Sequence, residues 1–251
     1  MELVFTGVMW YTRCRNRIQH EVIDMGYKYE THMHTKEASA CGAFSAKDMV
    51  RAFQKAGYTG IFVTDHFFNG NCAMSRELPW EEKVELFCKG YENAKAEGDK
   101  IGLDVFFGFE YCVEGADFLI YNLDKKWLLE NVDVDKWEPR KAFAAMHKGG
   151  GFIVHAHPFR ERDYINHIHL FPRDVDGVEV INGGQLREPW MNERANIYAM
   201  MYDLPKTSGS DAHHANSLPL CGIETDTRIR QPLDYLEQMK KGQIRLLDGE
   251  V

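Results

Sequence analysis

Along this chain, short apolar runs end one after another in histidine or a carboxylate. Residues 60–64 (GIFVT) lead into Asp65 and His66, and 104–109 (DVFFGF) into Glu110. Residues 151–155 (GFIVH) lead to His157, 177–181 (DGVEV) to Asn182, and 206–209 to Asp211 and His213. The first run, 29–33, carries His32 and passes into His34. QIRLL at 243–247 is one more strand candidate, and DFLIYNL at 117–123 another. Between them lie amphipathic segments at 45–57, 80–97, 136–148, 187–203 and 231–241. In the first of these, Ser45 is placed to cap a helix that Gly57 closes, with Met49, Val50 and Phe53 on one face. Pro139 suits the first turn of its helix. Strand–helix alternation of this kind predicts a mainly parallel sheet. About seven units over this length suit a closed barrel; an open, doubly wound sheet is the alternative. No GxGxxG follows the first strand, which counts against a nucleotide-cofactor version of the open sheet.

A parallel barrel gathers the C-terminal ends of its strands on one rim, where active sites lie. In an extended strand, residues i and i+2 face the same side, so His32 and His34 can offer two imidazoles to one metal ion. Asp211 and His213 repeat the spacing, and Glu110 adds a carboxylate able to bridge two ions. Imidazole mixed with carboxylate suits Zn²⁺, Mn²⁺ or Fe²⁺. The ligand candidates exceed the needs of one ion, so two or three divalent ions are implied.

Each residue alone has a plainer reading. An isolated HxH is more often a surface pair, Asp65–His66 can cap a helix, Glu110 can serve an ion pair, and His157 before Pro158 can be a turn residue. Those readings would have to hold independently at successive strand ends, and their recurrence favours a metal site. His20, His147, His167 and His169 lack such company and read as solvated or locally bonded. Trp127 and Trp137 read as packing, and the cysteines other than Cys41 as small buried apolar groups.

Composition narrows the partners. Apolar residues are 44% of the 251, enough for a sizeable core, and the net charge of -8 disfavours polymeric nucleic acid. The six cysteines form no CxxC, and no run approaches a membrane span or a signal-peptide core, so a reduced, cytoplasmic chain is expected. Residues 1–28 read as an N-terminal extension of unclear role, and 29–251 as a single barrel domain.

The set HMHT, TDH, GFE, AHP and SDAH, in order from about residue 29 to 214, resembles the PHP family, named for polymerase and histidinol phosphatase. The resemblance implies a distorted (β/α)7 TIM-like barrel with two or three metal ions on its C-terminal rim, and hydrolysis of phosphomonoesters. By motif, His32 and His34 hold one ion with Glu110 and Asp211. Glu110 bridges to a second ion that His157 also binds, and His66 and His213 hold a third. Two positions depart from the family pattern. Where members supply a His or Asp to the third ion, Glu37 is the first substitute and Cys41 the second; where many place a His on the second ion, Asp117 stands instead.

The implied chemistry is attack on phosphorus by a hydroxide that the ions generate beside Glu110. Arg160 is assigned to the phosphate oxygens, and Asp65 to orienting or protonating a ligand or to supporting His66. His213 counts among the catalytic candidates as well as the ligands. Asn182, His214 and Arg187 are candidates for lining the substrate pocket. The expected partner is a small phosphorylated metabolite: histidinol phosphate, a nucleotide or a sugar phosphate. The competing readings are a non-catalytic metal-binding or regulatory module and a C–N hydrolase. The latter falls behind, because related amidohydrolases usually bridge their metals with lysine.

Overall fold

The computed structural model describes residues 26–249. The expected N-terminal extension lies outside the described residues up to residue 25, and the first strand, β1, already opens at Tyr27 (Tyr27–Met33). The chain continues through α1 (Ala46–Lys55), β2 (Gly60–Val63), α2 (Trp80–Phe87), α3 (Lys89–Ile101), β3 (Asp104–Val113) and β4 (Ala116–Tyr121). It then forms α4 (Lys125–Glu130), α5 (Pro139–Lys148), β5 (Phe152–Ala156), β6 (Gly177–Asn182) and α6 (Pro189–Met201). The last elements are β7 (Lys206–Gly209), β8 (Cys221–Thr225), α7 (Pro232–Lys240) and β9 (Ile244–Asp248).

Among the described residues the strands form one sheet in the order β7-β6-β5-β4-β3-β2-β1-β8-β9. It curls into a nearly closed barrel. Beyond β7, Ala212 bridges Met33 of β1 in parallel, with His34 N–H on the Ala212 carbonyl and Ala212 N–H on the His32 carbonyl. β1, β2 and β3 run parallel, as do β5, β6 and β7. The distorted barrel expected from the resemblance is therefore present, with two amendments. β4, the DFLIYNL run, is antiparallel to both neighbours. QIRLL, expected as a further parallel strand, is β9, antiparallel to β8, which in turn is antiparallel to β1. For β4 the reason is connectivity: a parallel partner needs a crossover, whereas β3–β4 are joined by a two-residue turn.

Local sequence explains the helices. The Ser45 hydroxyl accepts the Asp48 N–H at the start of α1, and Met49, Val50 and Phe53 are buried. Pro139 opens α5, where a missing N–H costs little, and the Glu138 carboxylate accepts the Lys141 N–H. The expected 80–97 helix is two helices meeting at Cys88. No helix among the described residues is long and apolar enough to cross a membrane.

The barrel interior is filled by Tyr29, Phe62, Leu119 and Val154, with Tyr235 and Met239 of α7 plugging its lower end. Ile61, Val63 and Val105 point outward onto α1 and α3. This packed floor leaves the C-terminal rim as the place for polar side chains. β1 shows how. Tyr29 points inward, and so do His32 and His34, although simple alternation would turn even-numbered positions outward. An irregularity in the β1–β2 register between Glu30 and Met33 supplies the odd step.

Candidate metal centre

Strand ends and one strand beginning place the polar residues. The β2–β3 pairing resumes at the rim, where His66 bridges Glu110 and the Glu110 N–H donates to the Asp65 carbonyl. Because β4 is reversed, its start lies beside the strand ends, and Asp117 falls opposite Cys112 of β3 and Ala156 of β5. His157 and Asp211 both follow strands and both turn into the site through positive φ, 26° and 50°.

These side chains converge. Nε2 of His32 and Nε2 of His34 lie 3.2 Å apart. Asp211 Oδ1 is 3.6 Å from the first and 3.3 Å from the second. Glu110 sits at the centre: Oε1 is 3.4 Å from His32 Nε2 and 3.2 Å from His157 Nε2, while Oε2 is 3.5 Å from His34 Nε2 and 2.7 Å from His66 Nδ1. The His66 contact is short but poorly directed, so Oε2 is buried without a hydrogen bond. Four sets of donor atoms lie within 4.8 Å of one another: His32, His34 and Glu110; Glu110, Asp117 and His157; His34, His66 and His213; and His32, His157 and Glu179.

Hydrogen bonds behind the cluster fix which nitrogen faces it. His32 Nδ1 is 3.0 Å from Glu179 Oε1, an acceptor only, so Nδ1 carries a proton and Nε2 is the nitrogen turned to the cluster. His34 Nδ1 meets Ser39 Oγ at 3.1 Å. That hydroxyl donates to Asp65 Oδ1 and accepts the His66 N–H, so its remaining lone pair accepts from Nδ1. His213 Nδ1 donates to the Asp211 carbonyl at 2.8 Å. The Nε2 atoms of His32 and His34 thus face each other across 3.2 Å among buried carboxylates, a gathering of donor atoms that suits a cation. The donor set fits divalent metal ions.

The electrostatics agree. Burial alone would lower His32, but Glu179, Asp211 and Glu110 raise it well above the usual imidazole range. His34 goes the other way, held low by burial and by the imidazoles of His66 and His213. Burial opposes ionisation of Glu110, yet His66 and His32 hold it well below the usual carboxylate range. Asp117 is raised, first by burial and then by the charge of Glu110. Neighbouring acids driven in opposite directions mark a site that collects positive charge.

The remaining candidates divide. Arg160 lines the mouth of the site, with Nη1 3.9 Å from Asp211 Oδ2 and a buried Nε that has no partner. Asp65 stands behind the cluster. Its oxygens accept the Thr35 N–H and the hydroxyls of Thr35 and Ser39, so it braces the loop rather than facing substrate. Burial, opposed by those bonds, raises it to about 6. Asn182 is buried and donates to Glu179 Oε2 at 2.8 Å, away from the pocket wall. His214 is exposed and lies edge-on to Phe44. Glu37 is not brought to the cluster, because its carboxylate accepts the Ala46 N–H at 2.9 Å and caps α1.

Cys41 is brought to the cluster, its Sγ 3.1 Å from His213 Nε2. Burial would raise the thiol, but hydrogen bonds from His213 and His66 lower it to about 6. Of the histidines read as locally bonded, His147 contacts Asp176 at 2.9 Å, whereas His167 and His169 line the cleft. His155 points away from the site, stacked on Phe118 in the outer layer. Sequence reasoning missed Glu179, whose signal is an acid between the outward valines Val178 and Val180. The site opens into a cleft of about 790 Å³, walled by Asn69, Asn71, Glu114, Arg160, Tyr164 and His167.

Comparison with known proteins shows where this fold recurs. Residues 189–244 match the family model described as PHP-associated. A two-domain protein of Bacteroides vulgatus containing a predicted PHP-like metal-dependent phosphoesterase superposes with a TM-score of 0.63 at 15% identity, over 88% of this chain and 64% of its own. The chain therefore spans a little under two thirds of that protein. PsfC of Pseudomonas syringae gives 0.58 at 17% identity, over 86% and 93%. An amidohydrolase of Chromobacterium violaceum with bound sulfate and no metal gives 0.55 at 14%, over 89% and 98%. No curated protein matches. The chain thus shares its fold with these proteins, and its residues 189–244 are similar to the PHP-associated family model.

Proposed function

We propose that this chain is a metal-dependent phosphoesterase that hydrolyses a small phosphomonoester. The observation that carries the reading is the meeting of His32, His34, Glu110 and Asp211 at the barrel rim, with their nitrogen and oxygen atoms turned toward one another beneath a cleft. His32, His34, Glu110 and Asp211 would hold one divalent ion and Glu110, Asp117 and His157 a second, with His66 and His213 at a third. Zn²⁺, Mn²⁺ and Fe²⁺ all accept this donor set. Ions so held supply Lewis acidity, lowering the pKa of a bound water and offsetting charge on a phosphoryl group.

The chain's own residues do the rest. Glu110 reaches both sides of the cluster with its two oxygens, so one carboxylate couples the two halves of the site. Glu179 holds His32 in the tautomer that presents Nε2, and Ser39 does the same for His34. Arg160, three-quarters buried with a free Nε–H, offers planar donors to phosphate oxygens at the mouth. The cleft is of metabolite size. With a net charge of -8, long nucleic acid is a poor fit as substrate.

The test is phosphate release from para-nitrophenyl phosphate by protein loaded with Mn²⁺ or Zn²⁺, alongside elemental analysis of never-chelated protein. The expected result is two or three ions per chain, with turnover abolished by chelation and by Glu110→Gln. Metal-loaded protein that releases no phosphate from a broad ester panel would overturn the proposal in favour of a non-catalytic metal-binding module.

A further inference from the structure

Cys41 belongs to neither of the ion sets centred on Glu110. The loop that carries it is held on two sides: the Ala40 N–H donates to the Asn71 carbonyl, and the Ala43 N–H to the His213 carbonyl. Gly42 tightens the bend by donating to the Ser39 carbonyl at 3.0 Å. These bonds deliver the thiol to His213 Nε2 at 3.1 Å. That nitrogen is the one left to face the sulfur, because Nδ1 is spent on the Asp211 carbonyl. His66 flanks the same thiol, and the rings of His66 and His213 lie 6.4 Å apart. His34 stacks between the two rings, 4.4 Å from each, with its own Nε2 turned toward His32 and Asp211. Sulfur and two imidazoles therefore converge at the edge of the cleft, where Cys41, His66 and His213 all line the wall.

We propose that Cys41 is a metal ligand, its sulfur completing with His66 and His213 a Cys-His-His subsite that selects a thiophilic ion such as Zn²⁺. The chemistry follows from ligand softness. Thiolate favours Zn²⁺ and Co²⁺ over Mn²⁺ and Mg²⁺, whereas the donors around Glu110 are imidazole and carboxylate throughout. Three protein ligands leave a coordination position free on the cleft side, the pattern of an open zinc site. Glu37, the other residue of this stretch able to bind metal, is spent on the N-terminus of α1. The cluster thus has two kinds of position, two hard ones at its centre and a soft one at its lip. The inference rests on the metal-dependent reading of the cluster as a whole.

Cobalt separates the two. The intact protein is loaded with Co²⁺ and its near-ultraviolet spectrum recorded for the thiolate-to-cobalt charge-transfer band, with ion stoichiometry from native mass spectrometry. We expect the band in the parent chain, its loss in Cys41→Ser, and one fewer tightly held ion in that variant. Cys41→Asp should restore the count without restoring the band. In competition, the parent should fill its last position from Zn²⁺ against excess Mn²⁺, and Cys41→Asp should lose that preference. A parent that takes up cobalt fully without the band, or a band that survives in Cys41→Ser, overturns the assignment of Cys41 while leaving the central cluster intact. A chain that takes up no cobalt at all overturns both.

Discussion

Glu179 receives the Nδ1–H of His32 with one oxygen and the backbone N–H of His157 with the other, at 3.0 and 3.1 Å. A single buried carboxylate thereby sets the ring of one ligand and the backbone turn of another. It is absent from the cleft wall, and its second oxygen also accepts the Asn182 amide at 2.8 Å.

Glu179→Gln keeps the size of the side chain but removes the charge that holds His32 in one tautomer. Metal affinity should fall roughly 10- to 100-fold, the usual cost of losing such a partner. Competition with a chromogenic chelator reads this directly, and an unchanged affinity would remove Glu179 from the account.

Gly90 lies in the first turn of α3, where a Cβ would come within 2.5 Å of both Asp65 Oδ2 and Thr35 Oγ1. Those atoms are bonded to each other at 2.7 Å and cannot give way cheaply. Gly90→Ala should cost about 1–3 kcal/mol, as overpacking does, and should also weaken metal binding through Ser39. Urea unfolding measures the first effect and calorimetric titration with Zn²⁺ the second; a stable variant with ordinary affinity would contradict the bracing role given to Asp65.

Arg160→Ala should lower kcat/KM for a phosphomonoester by roughly 100-fold, comparable with the loss of one preorganised donor. Metal stoichiometry should not change. Arg160→Lys should recover little of the loss, because an ammonium lacks the planar fork. Steady-state kinetics on the two variants, with metal content measured in parallel, checks both statements.

Asp176 accepts the Ile153 N–H at 3.0 Å and contacts His147 at 2.9 Å and Lys240 at 3.2 Å. Burial works against its ionisation, but His147, the Ile153 N–H and Lys240 hold it below the usual carboxylate range. A depressed folded-state value means that its contribution is present above the unfolded value of about 3.9 and is lost as pH falls through the folded value. Asp176→Asn should therefore be less stable than the parent at pH 7, and the gap should narrow below about pH 4. Urea midpoints at the two ends of that window test it.

Much of the fold was legible because the period of apolar residues changes between strand and helix, and the parallel strands of the barrel carry that signal strongly. Strand direction was less legible. DFLIYNL and QIRLL look the same whether parallel or antiparallel, since direction lies in the connections. β8 escaped notice because CGIET is short and contains Gly222 at φ 132°, which weakens the apolar signal. In the site, ligands on strand ends could be read because their spacing has a geometric meaning. Glu37 could not be placed, as proximity in sequence to His34 says nothing about which way a loop residue turns. The pair His155 and His157 shows the same limit: positive φ at His157 breaks the alternation, so one ring enters the cluster and the other stacks on Phe118.

The reversal of β4 has a bearing on how such a chain can diversify. Its connection to β3 is a two-residue turn, Glu114 and Gly115, both at positive φ, and both residues border the cleft. Elsewhere around the barrel, lengthening a connection perturbs a crossover and the helix it contains. At this corner, added residues would simply prolong a pair of neighbouring strands outward, raising a parapet beside the opening while the threading of every helix stays as it is. Descendants of this scaffold could therefore change what they admit at one hairpin tip and leave the ligands beneath untouched.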